Sequence, residues 1–142
     1  MKTILTAYRV RDLGRSANFY FKVGFQEIGR VEFEEGSTLL MLNLPGDGEV
    51  VTLELAHDPR IDRIEIGNGF SHLAVQVDDL AALLAYLVTR GIEVDGPHFP
   101  GGEDGPKTAF VHDPDGYRLE FVQWPPGHPA EMTRADFPSG GA

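Results

Sequence analysis

Cysteine is absent from this chain of 142 residues. Its absence excludes a disulfide framework, a thiolate metal site and a thiol nucleophile, so any metal would need His, Asp or Glu as ligands. Positive charge is scarce: 12 Lys and Arg stand against 22 Asp and Glu, for a formal net charge of -10. Such a chain lacks the footprint for phosphate backbones or anionic lipid, so neither nucleic acid nor a membrane is an expected partner. No apolar run approaches a membrane span, and the opening Met1-Lys2-Thr3-Ile4-Leu5 is too short for a signal-peptide core, which makes the cytoplasm the expected location. A glycine-rich phosphate loop of strand-to-helix form is missing, and no Ser/His/Asp triad rises above chance.

What is present is the composition of a soluble globular protein, 42% hydrophobic and 24% charged, in a length that buries a core of one ordinary domain or of two small modules. The most informative stretch runs from His112 to Gln123. Asp113-Pro114-Asp115-Gly116 is turn chemistry, because proline presets φ at the first corner and glycine accepts the positive φ that closes the turn. The residues after it alternate as a strand, with Tyr117, Leu119 and Phe121 on one face and Arg118, Glu120 and Val122 on the other. Glu120 is then a carboxylate in mid-strand. Either it lines a solvated sheet face beside Arg118, or it pairs with a cation or binds a metal.

Read in order, residues 3–10 form a strand. A helix follows from an N-cap at Asp12 to a stop at Gly24, turning Ala17, Phe19, Tyr20 and Val23 inward. Strand-like runs follow at residues 26–34, 37–44 and 49–56, separated by Glu35-Gly36 and Pro45-Gly46-Asp47-Gly48. A polar connection, in which Ile61, Ile64 and Ile66 pack down, leads to a second round. This has a strand at 71–77, a helix opened by Asp78-Asp79-Leu80 and closed by Arg90-Gly91, a strand starting at 92–94, a Gly/Pro-rich loop at 97–105, and strands at 107–112 and 117–123.

The order of elements repeats. Val10-Arg11-Asp12-Leu13 matches Val77-Asp78-Asp79-Leu80, Gly24-Phe25 matches Gly91-Ile92, and Thr52-Leu53-Glu54-Leu55 matches Arg118-Leu119-Glu120-Phe121 one residue shorter. The expected fold is therefore α+β, two tandem βαβββ modules (about 1–67 and 68–124) forming a curved mixed sheet around a cleft. Residues 125–142 form a tail with little core of its own. Under this registration Glu54 and Glu120 are equivalents, and His72 on the first strand of the second module is equivalent to Leu5. If the modules face each other about a pseudo-twofold axis, Glu54, His72 and Glu120 converge, with Leu5 at the fourth corner.

One imidazole and two carboxylates suit a divalent metal such as Ni, Co, Mn, Mg or Zn, with positions left for substrate oxygens. The competing reading is a histidine hydrogen-bonded to one carboxylate while the other is solvated. The remaining histidines, His57, His98, His112 and His128, are expected to be solvated.

The runs Tyr8-Arg9-Val10-Arg11-Asp12-Leu13, Thr52-Leu53-Glu54-Leu55, Ser71-His72-Leu73-Ala74-Val75 and the segment from Ala109 through Asp113-Pro114-Asp115-Gly116-Tyr117 to Glu120 resemble glyoxalase I (lactoylglutathione lyase) of the vicinal oxygen chelate superfamily, over nearly everything up to Trp124. The resemblance implies paired βαβββ modules, a homodimer with sites between modules, a small-molecule substrate, and a metal (Ni, Co, Mn or Zn) on four side chains. Three of those positions are matched by Glu54, His72 and Glu120. The fourth, His or Gln in the family, is Leu5, which has no lone pair to donate, so the resemblance implies metal binding that is weaker, completed by water, or absent. Arg9 matches the arginine that receives a glutathione carboxylate, whereas Asp58 stands where it would repel one.

The resemblance implies methylglyoxal detoxification by a lyase that turns the adduct of a 2-oxoaldehyde and a thiol into a 2-hydroxyacyl thioester. Glu120 would be the base and Glu54 a ligand or opposite-face partner. The alternative is a metal-free protein of the bleomycin-resistance kind that sequesters a small molecule, with Leu5, Phe33, Phe99 and Phe110 as wall residues. A ring-cleaving dioxygenase, which needs two His and one carboxylate on iron, is disfavoured by Leu5.

Overall fold

The computed structural model describes residues 1–138. The element order is that of a repeated βαβββ module. The first copy comprises β1 (Thr6–Arg9), α1 (Leu13–Val23), β2 (Gln26–Glu32), β3 (Thr38–Asn43) and β4 (Leu53–His57). The second comprises β5 (Leu73–Gln76), α2 (Leu80–Thr89), β6 (Asp95–His98), β7 (Lys107–His112) and β8 (Arg118–Gln123). The strands form two four-stranded mixed sheets, ordered β1-β4-β3-β2 and β5-β8-β7-β6. Among the described residues, no helix is long and apolar enough to cross a membrane.

Both helices start and stop by the same local chemistry. Asp12 accepts from the Arg15 amide and Asp79 from the Ala82 amide, each satisfying one orphan donor of a first turn. At the other end, Gly24 at φ 127° and Gly91 at φ 77° take the conformation that a side chain disfavours. The amides of Phe25 and Ile92 then close back onto the carbonyls of Tyr20 and Leu87. α1 buries Ala17, Phe19, Tyr20 and Val23, and α2 buries Leu80, Leu84 and Leu87.

Strand ends differ from the sequence expectation in a consistent way. The outer strands β1 and β5 are shorter than 3–10 and 71–77, leaving Leu5 and His72 just ahead of them. The last strand of the first module begins at Leu53 rather than 49, because Asn43 is buried and its side-chain amide holds the carbonyls of Gly48 and Val50 in a loop. β6 runs from Asp95 to His98, through Pro97, which the sequence reading assigns to the loop at 97–105. Proline is tolerated there because β6 is the edge of its sheet and needs no donor on its open side.

The chain divides into two compact units, Met1–Ser71 with His112–Tyr117, and His72–Val111 with residue 118 onward. In the first unit, the turn after β7 is bound to α1. Asp113, 5% exposed, receives the Tyr20 hydroxyl at 2.8 Å and the amides of Asp115 and Tyr117 at 2.9 Å. Asp115 accepts from the Arg11 amide and the Ser16 hydroxyl, both at 3.3 Å, beside the α1 N-terminus where a carboxylate is favoured. Tyr8 stacks on Tyr117 with ring centroids 4.1 Å apart and hydrogen-bonds the Tyr20 hydroxyl. Burial raises the Asp113 carboxyl above its usual range and pushes the Tyr20 phenol far above its own.

In the second unit, residues beyond β8 are tied down rather than loose as far as they are described. The Trp124 ring lies on His128 at 4.4 Å and 17°, and the Trp124 indole donates to the Ala130 carbonyl at 3.3 Å. Residues 139–142 of the expected tail lie outside the described residues.

Candidate active site

Parallel pairing of β5 with β8 sets Ala74 beside Glu120 and Leu73 beside Leu119. Alternation sends Leu119 and Phe121 into the core and leaves Arg118 and Glu120 half-buried on the other face. His72, one residue ahead of β5, reaches that face, with Nε2 3.7 Å from Glu120 Oε1. The two side chains keep 34% and 20% of their surface exposed, so a ligand can reach both. At 3.7 Å they are an ion pair when the imidazole is charged, not a hydrogen bond.

Phe110 on β7 completes the patch. The His72 ring meets it edge-on at 6.1 Å, and the Arg118 guanidinium carbon lies 3.8 Å from its centroid. His98 is exposed, as expected, and it also bonds to Asp95 at 2.9 Å and tilts against the same ring at 6.2 Å.

The first unit builds the equivalent positions. β1 pairs parallel with β4, so Ala7 lies beside Glu54 as Ala74 does beside Glu120. Leu53 and Leu55 are buried while Glu54 is half-buried on the opposite face, across from Met41 of β3. Leu5 precedes β1 as His72 precedes β5. His57, at the end of β4, has the parity of Leu53 and Leu55 rather than of Glu54.

Arg9 ends β1 and lines a cleft of about 610 Å³ with Tyr8, Tyr117, Ile61, Ile64 and Arg63. Ile61 and Ile64 of the connection are half-buried along this cleft. Asp58 is forked by Arg60 at 2.9 and 2.8 Å, which holds its carboxyl down at about 2, with a smaller contribution from the charge of Arg9.

A family profile described as the Glyoxalase/Bleomycin resistance protein/Dioxygenase superfamily matches residues 4–121. The chain belongs to this superfamily. The lactoylglutathione lyase of Neisseria meningitidis is 34% identical over 125 residues, covering 87% of this chain and 91% of that protein. The probable lactoylglutathione lyase of Synechocystis is 32% identical over 120 residues, covering 83% and 92%. Among solved structures, the trypanothione-dependent glyoxalase I of Leishmania major superposes with a TM-score of 0.72 at 28% identity, covering 87% of this chain and 86% of that one. The fold is the glyoxalase fold, and these curated relatives are named as lyases.

The donor chemistry of this superfamily member suits a divalent metal in part. One ion that held an imidazole nitrogen and a carboxylate oxygen at about 2.0–2.2 Å would set them about 3–3.6 Å apart, so His72 and Glu120 fit two ligand positions after a small adjustment. Among the described residues, no group of three or more His, Asp or Glu is gathered to hold a metal. The structure brings His72 and Glu120 together; Glu54 belongs to the other unit, and Leu5 offers no donor.

Two features of this glyoxalase fold escape sequence reading. Arg118, read as a solvated strand residue, stacks on Phe110, and the only sequence signal was its i, i+2 spacing from Glu120. The two aspartates of the turn, read as turn formers, each bind a separate part of α1. Of the proposed wall residues, Phe110 lies in the His72 patch, whereas Phe99 lines a groove of about 840 Å³ under α2 with Leu84 and Val88.

Proposed function

We propose that this protein is a glyoxalase I-like lyase that isomerises the adduct of a 2-oxoaldehyde and a small thiol to a 2-hydroxyacyl thioester. The juxtaposition of His72 with Glu120, on a face that ligands can reach, carries the reading. Relatives named lactoylglutathione lyase support it. Glu120 takes the proton from the carbon that bears sulfur and returns it to the neighbouring carbonyl carbon, while the hydroxyl proton passes between the two oxygens. Atoms and electrons balance without any co-reactant.

His72 and Glu120 would hold a divalent metal such as Ni, Co, Mn or Zn, which when bound would stabilise negative charge developing on the substrate oxygens. Arg9 would receive an anionic end of the thiol, weakened by Asp58. A homodimer in the cytoplasm, acting in methylglyoxal detoxification, completes the proposal.

Leu5 favours a second reading, a metal-free member that sequesters a small molecule. Two measurements separate them: elemental analysis of protein saturated with Ni or Mn, and ultraviolet detection of thioester from methylglyoxal adducts. One ion per chain, lost in H72A, with thioester formation, supports the lyase. No retained ion and no thioester leaves sequestration as the account.

A further inference from the structure

The site carries a cation that the proposed reaction does not use. Arg118 is two residues before Glu120 on β8 and on the same face, and its guanidinium lies 3.8 Å from the centroid of Phe110, the ring that also meets His72. The contacts Arg118 to Phe110, Phe110 to His72, and His72 to Glu120 therefore form one continuous patch within the second unit.

A guanidinium laid on an aromatic face is fixed in orientation and keeps its in-plane N–H edge for a forked contact with a carboxylate. Among the described residues, no carboxylate forms an ion pair with Arg118. Arg9 lies in the other unit, on the cleft it lines with Tyr8 and Tyr117.

We propose that Arg118 is the anion-recognition residue of this site, seating a carboxylate of the substrate beside Phe110. The inference rests on the lyase reading for the word substrate, though not for the binding itself. Two residues along a strand span about 7 Å. With both side chains rising from the same strand face, a short acid that bears its carboxylate a few bonds from the reacting carbon suits the pair better than a long peptide thiol. The carboxylate comes either from the thiol, as in mercaptoacetate, or from the aldehyde, as in 4,5-dioxopentanoate.

The test compares kcat/KM for three adducts: methylglyoxal with mercaptoacetate, 4,5-dioxopentanoate with 2-mercaptoethanol, and methylglyoxal with 2-mercaptoethanol. Wild type should prefer one anionic adduct over the neutral one by about 10-fold or more, as a charge-assisted forked contact allows. R118Q should erase that preference chiefly through KM, and R118K, which keeps the charge without the fork, should restore part of it. The anionic adduct that shows the preference identifies which end bears the carboxylate. Equal kcat/KM for all three adducts, or a preference untouched in R118Q, overturns the proposal while leaving the lyase intact.

Calorimetry with the unreactive S-methyl mercaptoacetate and its amide keeps the two readings apart. Carboxylate-selective binding that survives in E120Q and is lost in R118Q upholds Arg118 even where no thioester forms. Equal binding of acid and amide in a protein that forms no thioester overturns it.

Discussion

At the scale of residues, the chain places its costly groups where a second group justifies each. Asp113 is buried, yet it accepts three hydrogen bonds, from one hydroxyl and two amides. Asp113→Ala leaves those donors unpaired and should lower stability by about 3 kcal/mol, read from the midpoint and slope of urea unfolding. Tyr20→Phe removes one of the three contacts and should cost about 1–2 kcal/mol in the same measurement. Leu5 is the opposite case, an apolar side chain at the position equivalent to His72. The place of Glu120 on the half-buried sheet face was legible because alternation exposed its parity and the repeat supplied its equivalent, Glu54. Arg118 was not, since nothing in one-dimensional spacing says that a neighbouring strand offers Phe110 beneath it.

At the scale of elements, capping chemistry and the periodicity of α1 and α2 were readable because they are local. Strand ends were less so, because they depend on pairing with distant residues. β6 illustrates the difference. Its Gly96 sits at φ 134°, and a Cβ there would stand 2.9 Å from Ala109 Cβ and 3.0 Å from the Thr108 carbonyl oxygen on β7. Gly96→Ala should therefore cost about 1–3 kcal/mol, against little effect for Gly46→Ala in open space, both read by thermal or urea unfolding.

The segment after β8 has its own dependence on pH. The ring nitrogens of His128 face two acceptors, the Pro129 carbonyl at 2.5 Å and the Asp136 carboxylate. Only the imidazolium donates to both, and these contacts raise the His128 pKa above its usual value, the carbonyl contributing most. The folded pKa being the higher one, this contribution to order is complete below about 6.5 and fades as pH rises through the folded value. NMR titration of His128 should show the raised pKa, with the Trp124 resonances shifting in step. H128Q should abolish that step.

At the scale of the whole molecule, the repeat is the feature that sequence reading caught most fully, because it concerns the order of elements and not their contacts. Glu54 beside Ala7 and Glu120 beside Ala74 place that registration in two parallel strand pairs. The excess of 10 negative charges gives an anionic substrate no long-range attraction, so recognition falls to single cations such as Arg118 and Arg9. The proposed homodimer should elute and scatter as twice the 15.6 kDa of one chain.

The proton transfer assigned to Glu120 is tested most directly by kcat for thioester formation in wild type and E120Q, each loaded with the same metal. The change keeps the shape of the side chain and removes its basicity, so kcat should fall by about 10²- to 10⁴-fold. A kcat within threefold of wild type would contradict the assignment.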